Sequence, residues 1–570
     1  MRDITQRAPQ ALKLHAIASL LALWGVSAAA VEIETNNPDL KVRWDNTVRY
    51  NLGTRIEAQD ARLLANRSYD EGDAKFDKGA IVTNRLDVLS EIDLSYKKQF
   101  GARLVASAWY DHAYRDTSVK STAAGGFSTS YFGDQYNANV KRYVKGPSGE
   151  FLDAFVWGNF NLGEVPVSVK LGRHAVIWGE GSVIGAHAIS YSQAPSDVVK
   201  ALASPGIETK ELLLPINQLS FKAQLTSDLT VAGQYFLEWK ALRAPNGGTF
   251  LVGADTSPGV DRLAIAPGND ATNVAPLLPG NRGNWGLSAR LNVAAIDATL
   301  GAYYREFTDY APENGIQFLT FNGPFPTTFR FVYPQGVKQT SLSLAKGIGP
   351  VSFGAELSYR QNGALNSTGS YGPTQNTGAR GDTWHAIANG AYLLPKTALW
   401  DTGSVLVELA YSRLQKVTAN EALYRGEGNL LPMNAAGSLS CAKTGAAATV
   451  PGDRSDACST KQYLQAAVSF SPTYIGVFPS WDLELPMFVS YAIKGTAPSA
   501  SAGFEDLLTY SLAARMTYQA RHEFSLRYAD IKVPTKYNAA GTQAIGGNGS
   551  SGTVGATDRG WLVFTYKTSF

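Results

Sequence analysis

Apolar and polar residues alternate one by one along most of this chain. At 41–52 one face reads Val42, Trp44, Asn46, Val48, Tyr50 and Leu52, and the other Lys41, Arg43, Asp45, Thr47, Arg49 and Asn51. Near 85–97, Leu86, Val88, Ile92, Leu94 and Tyr96 oppose Arg85, Asp87, Glu91, Asp93 and Lys97. At 507–518, Leu508, Tyr510, Leu512, Met516 and Tyr518 oppose Thr509, Ser511, Arg515 and Thr517. The pattern recurs at 285–293, 351–361, 405–413 and 524–530. A period of two places successive side chains on opposite sides of a strand, so an all-β fold is expected.

A soluble sandwich alternates too, with its apolar face inward. Two features favour a transmembrane antiparallel β-barrel. The apolar faces often carry Tyr or Trp near their ends, as aromatic girdles at membrane interfaces do. The polar faces hold many Arg, Asp and Glu, which suit a wet lumen. Connection lengths are an independent test. Short turns at 98–101, 162–164, 226–228, 294–296, 347–350 and 519–521 alternate with long loops at 53–82, 113–149, 174–216, 240–284, 308–336, 362–382, 415–461 and 532–558. Short periplasmic turns and long outer loops are the barrel rule. The count predicts about eighteen strands, with about sixteen as the alternative because 395–401 and 471–484 are poorly patterned. An even number leaves both ends in the periplasm.

Composition and charge agree. The chain has 55 Gly, 27 Tyr, 24 Phe and 11 Trp. No stretch beyond residue 30 reaches the ~18 apolar residues of a spanning helix. A net charge of +3 is close to neutral for 570 residues, which makes nucleic acid a poor partner. Arg2, Arg7 and Lys13 precede an apolar run at 16–26 and then Ser27-Ala28-Ala29-Ala30, the order of a secretory signal peptide. Cleavage is therefore expected after Ala30, with 31–570 forming the barrel. Cys441 and Cys458 lie in one polar stretch and are expected to form a disulfide within an outer loop, two free thiols being the alternative. In the last strand Leu562, Phe564, Tyr566, Thr568 and Phe570 oppose Val563, Thr565, Lys567 and Ser569. That ending, carried by Phe564, Tyr566 and Phe570, resembles the signal by which the barrel-assembly machinery recognises outer-membrane proteins. Its apolar face should meet lipid, and its register against 41–52 should close the barrel.

The third long loop is unusual. It contains Arg173-His174-Ala175-Val176-Ile177-Trp178-Gly179-Glu180-Gly181, Pro195-Ser196-Asp197, Ser204-Pro205-Gly206-Ile207-Glu208-Thr209-Lys210-Glu211 and Leu213-Leu214-Pro215-Ile216-Asn217. It is long, apolar for a solvent-facing loop, and sparsely charged, which argues against disorder. The expectation is a plug or constriction at 173–216 folded into the lumen, which a barrel of this size has room to hold. A structured external cap is the alternative. Trp178 would supply an apolar contact. Glu180, Asp197, Glu208, Lys210 and Glu211 would tether the segment to wall charges.

Two stretches resemble a known family. Val31-Glu32-Ile33-Glu34 and Pro38-Asp39-Leu40-Lys41-Val42-Arg43-Trp44-Asp45-Asn46-Thr47-Val48-Arg49-Tyr50-Asn51-Leu52-Gly53 look like the opening of the family catalogued as domain of unknown function 1302. Leu171-Gly172-Arg173, Trp178-Gly179-Glu180, Pro205-Gly206, Lys210-Glu211 and Leu214-Pro215 are similar to its internal landmarks. The chain departs from the family at Gly181-Ser182-Val183-Ile184-Gly185, where Gly and Pro usually follow. The resemblance spans the mature chain. It implies an outer-membrane protein often partnered with a periplasmic lipid-binding-like protein and sometimes a proton-driven exporter of the resistance-nodulation-division type. It also implies traffic in hydrophobic compounds such as lipids, steroids or aromatics.

The lumen charges carry both signs: Arg43, Asp45, Arg49, Arg85, Asp87, Glu91, Asp93, Arg103, Glu356, Arg360, Glu408, Arg515 and Arg527. Pairing across neighbouring strands suits such a mixture better than an ion-selective ring, which would carry one sign in excess. The aromatics Phe318, Phe321, Phe325, Phe329, Phe331 and Tyr333 form a greasy entry patch, a packed loop tip or the rising flank of a strand. Catalysis is not expected. Asp111 and His112 are adjacent and face opposite ways, no Gly-x-Ser-x-Gly elbow occurs, and His174, Glu180 and His187 match no metal spacing. The function expected is passage of a small hydrophobic solute across the outer membrane of a Gram-negative cell, with no cofactor. The alternatives are the outer-membrane part of an exporter working with a periplasmic partner, and a non-conducting adhesin or scaffold.

Overall fold

The computed structural model describes residues 31–429, 441 and 457–570; the expected signal peptide lies outside them. Among the described residues eighteen strands form one closed antiparallel barrel. They are β1 (Leu40–Arg55), β2 (Ile81–Tyr96), β3 (Phe100–Asp111), β4 (Ser148–Leu162), β5 (Val165–His174) and β6 (Ile216–Gln224). Then follow β7 (Leu229–Phe236), β8 (Trp285–Val293), β9 (Ala298–Phe307), β10 (Val337–Ile348), β11 (Val351–Ala364) and β12 (Arg380–Leu393). The last six are β13 (Thr402–Ala419), β14 (Gln462–Phe478), β15 (Trp481–Glu484 continuing as Met487–Lys494), β16 (Leu508–Tyr518), β17 (His522–Lys532) and β18 (Trp561–Ser569). The short segment Val31–Ile33 pairs with the start of β1.

Why the count is eighteen is visible at the two weak places. The 395–401 segment is the turn between β12 and β13, and 471–484 spans the end of β14, a tight turn and the start of β15. Pro486 has no N–H to give the ladder, so β15 breaks there. The gap is bridged by Leu485 N–H to Pro472 O at 3.0 Å and Ala513 N–H to Pro486 O at 2.9 Å. Closure comes from β1 and β18, in register from Thr47 opposite Ser569 to Arg55 opposite Trp561. Asn46 and Phe570 extend that ladder by exchanging backbone bonds of 2.7 and 2.9 Å.

Burial is inverted relative to a soluble protein. Arg49, Asn51, Arg85, Asp87, Glu356 and Glu408 are buried, whereas Trp44, Leu86, Ile92, Leu342, Leu357 and Leu526 are exposed. Alternation therefore points polar residues to the lumen and apolar ones to lipid, where a charge near the midplane costs about 2–4 kcal/mol. No helix among the described residues is long and apolar enough to cross a membrane. The molecule is an outer-membrane β-barrel.

The outer loops are packed rather than splayed. Phe76 of the first, Tyr114, Tyr131 and Tyr136 of the second, Phe250 of the fourth, and Phe329 and Phe331 of the fifth share one buried cluster. The fourth, fifth and sixth loops also build a five-stranded sheet of Arg262–Ala266, Asn269–Asn273, Ile316–Asn322, Phe325–Phe331 and Ser370–Tyr371. Most of the aromatic run at 310–334 is consumed in this cap; Phe321 stays exposed. In the seventh loop Cys441 and Cys458 are joined, with Cα atoms 5.8 Å apart.

Inside the cap the Glu71 carboxylate accepts Ser130 N–H at 2.6 Å, and Glu71 N–H donates to Asp255 Oδ2 at 3.3 Å. Burial pushes the Glu71 carboxyl up to about 8, and burial beside Glu71 raises Asp255 well above the usual range. The folded loops therefore hold protons that the opened loops have already lost above pH 4.5. Stability from this pair is fully present in acid and is lost as pH rises through about 8. Hydrogen exchange at 56–80 and 237–284 should accordingly speed up from pH 5 to pH 9 beyond its intrinsic pH dependence. Glu71→Gln should flatten that excess; an unchanged excess would refute the assignment.

Candidate functional site: the third outer loop and the wall it touches

The third outer loop leaves β5 after His174 and enters β6 at Ile216. Its first arm is gripped through its backbone. Glu356, on the inner face of β11, accepts N–H from Glu180, from Gly181 at 2.8 Å and from Ile189 at 2.7 Å. Glu408, on β13, accepts from Ser182 at 2.6 Å, Val183 at 2.9 Å and Ile184 at 2.5 Å. Successive backbone amides thus make two anion nests, each filled by a wall carboxylate. Asn389 on β12 links them, donating to Glu180 O at 2.6 Å and Glu408 Oε2 at 3.1 Å. Arg305 on β9 binds the carbonyls of Ile189, Tyr191 and Ser192 at 3.1, 2.7 and 2.6 Å.

Glycine makes this approach feasible. Gly179 has φ +103°, and a Cβ there would overlap Glu356 Oε1; at Gly181 it would sit 2.8 Å from Ala188 Cβ. Gly286 on β8 leaves room for the Trp178 ring, which also lies 6.1 Å from the Tyr303 ring. The Trp178-Gly179-Glu180-Gly181 run is therefore a close-packing device. Gly179→Ala should weaken docking of the arm by about 1–3 kcal/mol, the cost of a strained backbone conformation. Faster proteolysis within 175–190 at unchanged barrel stability would show it, and wild-type rates would contradict it.

The second arm is held by side-chain charges. Asp197 caps the helix Val198–Ala203 and pairs with Arg243 of the fourth outer loop. Arg243 also pairs with Glu150 of β4 at 2.7 Å, and Lys200 reaches the same carboxylate at 2.9 Å. Glu211 takes both ends of the Arg49 guanidinium at 3.0–3.1 Å, with each side chain only 2% exposed. Lys210 pairs with Glu91 of β2, and Glu208 with Lys567 of β18 at 2.9 Å. Ser204 accepts from Arg49 and Asn51 and donates to Asp87 at 2.8 Å.

Between the arms, His187 Nδ1 lies 3.0 Å from His385 Nδ1 of β12. Ala502 O, in the loop between β15 and β16, can only accept, so His187 Nε2 carries its proton. Neutral His187 then accepts at Nδ1 from His385 Nδ1–H, and Thr383 Oγ1 donates to His385 Nε2 at 2.8 Å. The pair ties the third loop, the wall and the β15–β16 loop with one tautomer each.

The family model described as "Protein of unknown function (DUF1302)" matches residues 11–570. The chain belongs to this family. No curated protein matches it. Among solved structures, this DUF1302 member is similar to OccAB2 of Acinetobacter baumannii at 10% identity and a TM-score of 0.38, covering 93% of this chain and 98% of that one. It is also similar to the outer membrane protein OpdK of Pseudomonas aeruginosa at 9% identity, 93% and 98% coverage and a TM-score of 0.38. OccD3 of Pseudomonas aeruginosa matches at 11% identity, 95% and 93% coverage and a TM-score of 0.38.

In this DUF1302 barrel Trp178, Glu180, Glu208, Lys210 and Glu211 all reach residues of the barrel wall. The remaining expected tether, Asp197, does not, and Arg173, expected to begin the constriction, does not face it. Arg173 shares the outward parity of exposed Leu171 and donates to Phe151 O at 2.9 Å, so it stays outside the lumen. Asp197 binds another loop rather than the wall. The lumen charges pair largely with their neighbours: Arg85 with Asp87 at 2.9 Å, and Arg103 with Glu91, Asp93 and Asp153. Arg43 and Asp93 stand opposite each other, yet Arg43 turns to Asp45 at 2.7 Å on its own strand. Arg515 joins Glu484 across to β15, and among the described residues the buried Arg527 Nε has no hydrogen-bond partner. Alternation identified Glu356 and Glu408 as lumen charges without showing that they grip backbone. Arg305, Asn389 and Arg243 were missed, and only the Gly-rich spacing at 179–181 hints at them. Among the described residues no three His, Cys, Asp or Glu side chains gather as a metal site.

Proposed function

We infer that this DUF1302 barrel is an outer-membrane channel, and not an enzyme, for a small hydrophobic solute, with 175–215 as a constriction inside the bore. One observation carries the reading. The first arm bonds to β9 through β13, the second to β1, β2 and β18, and in a ring of eighteen strands those groups lie on opposite sides. A loop bonded to both sides crosses the lumen. The hydrophobic solute rests on the family resemblance and on the exposed Ile177, Val183 and Leu202 of that loop. Residues 1–30 are read as a cleaved signal peptide.

A second reading is favoured by the packing at the two ends. The outer end carries a packed cap, whereas a cavity of about 590 Å³ lies beneath Glu180 and Ser182 at the periplasmic end. This arrangement suits an export role in which a periplasmic lipid-binding-like partner, and an exporter of the resistance-nodulation-division type, act on the loop from below. A gene deletion separates the two. Lost growth on a hydrophobic carbon source is expected for import, and raised sensitivity to a secreted lipid for export. Neither phenotype, together with unchanged solute uptake into proteoliposomes, would count against transport altogether.

A further inference from the structure

The cavity beneath the loop has a chemistry of its own. It lies among the periplasmic ends of β7 to β13, roofed by Glu180, Ser182 and Asn389. Space exists because the residues there are small: Ala345, Gly347, Ser352, Gly354 and Ala391 all border it. At about 590 Å³ it is within the range of small-molecule sites. Ala345, Ala391 and Leu406 form an apolar wall, and Asn292, Thr299 and Asn389 add neutral polar groups.

Its charges are unevenly placed. Asp228 and Asp297, on the turns joining β6 to β7 and β8 to β9, stand at the mouth, and Glu180 stands at the roof. Lys346 is the basic residue of the lining. Glu180 pairs with Arg290 at 3.2 Å, an arginine whose side chain is 44% exposed and so open to replacement. A cation rising from the periplasm meets carboxylates at the entrance and again at the loop, while a carboxylate meets like charge at both. Low-dielectric walls between charged ends strengthen that discrimination.

We propose that this vestibule binds a small amphipathic cation, an ammonium group on an aryl or alkyl body, from the periplasmic side. The ammonium enters between Asp228 and Asp297 and reaches Glu180, where it takes the place of Arg290. The apolar body lies on Ala391 and Leu406. Glu180 N–H is one of the donors to Glu356, so a ligand on Glu180 acts directly on the tip of the constriction. The proposal deepens the channel reading and rests on it only for this last consequence.

Equilibrium binding tests it without any passage of solute. Calorimetry on the purified full-length barrel in detergent would compare phenethylammonium, phenylacetate and 2-phenylethanol, which share a ring and differ in charge. Binding of the ammonium alone is expected, weakened about fivefold in Asp228→Asn/Asp297→Asn as two near-surface charges are removed. Both positions are turn residues, the side-chain change leaves the Asn292 N–H to Asp228 O backbone bond in place, and heat-modifiable migration would verify folding of the variant. Equal binding of phenylacetate or the alcohol, an unchanged affinity in the double variant, or no binding at all would overturn the site. Failure of the constriction is read separately, from conductance of the loop-deleted barrel, so either idea can fall alone.

Discussion

Deleting residues 178–211 will raise single-channel conductance in planar bilayers severalfold, because those residues bridge opposite walls of the bore. The barrel should survive the deletion. Its ladder runs strand to strand around the ring, closed by β1 and β18, and among the described residues it takes no backbone hydrogen bond from 178–211. The groups left behind, chiefly Glu356, Glu408, Arg305 and Arg49, face a lumen that would then fill with water. They would be hydrated instead of stranded. A gentler variant guards against misfolding: Glu356→Gln with Glu408→Gln replaces the two carboxylates in the amide nests and keeps the chain length. Charge-assisted bonds are roughly twice as strong as neutral ones, so the first arm should detach intermittently and the current should flicker between two levels. A conductance unchanged in both variants would remove the constriction from the account.

The largest stability effect is expected at Arg49→Ala. Arg49 and Glu211 are both nearly fully buried, and the guanidinium also supports Ser204. Removing one partner of such a pair leaves an uncompensated charge and costs about 3–5 kcal/mol. Most of that should appear as opening of the second arm, seen as faster hydrogen exchange at 195–213, with barrel unfolding little changed. Arg49→Lys keeps the charge and loses the two-point geometry, so it should fall between wild type and Arg49→Ala. Equal exchange in all three proteins would mean that the pair does not hold the arm.

Some features were legible because they are local. The parity of Lys41 to Asn51 and of Arg85 to Asp93 is set by a two-residue period, and Thr47, Arg49, Asn51, Arg85, Asp87 and Glu91 of those runs are buried. The apolar face of the last strand and its pairing with β1 follow from the same period. Cys441 and Cys458, 17 residues apart, were readable as a pair by compartment and count. Arg173 shows how sharp this rule is. It lies one residue from the inward-facing His174, and that single step puts its side chain on the other surface.

What the sequence determined by itself is the barrel, the pairing that closes it and which loop is unusual, since each follows from alternation, turn length or local composition. The choice of eighteen strands over sixteen came from the structure, where 395–401 is a turn and 471–484 holds one. Only the tertiary structure decided what the unusual loop does with its charges. Glu356 lies 167 to 176 residues from the amides it binds, Arg49 162 residues from Glu211, and Lys567 far beyond Glu208. Those contacts depend on ring closure bringing distant strands to opposite sides of one lumen, and on glycines that let backbone approach a carboxylate. No spacing along the chain encodes either.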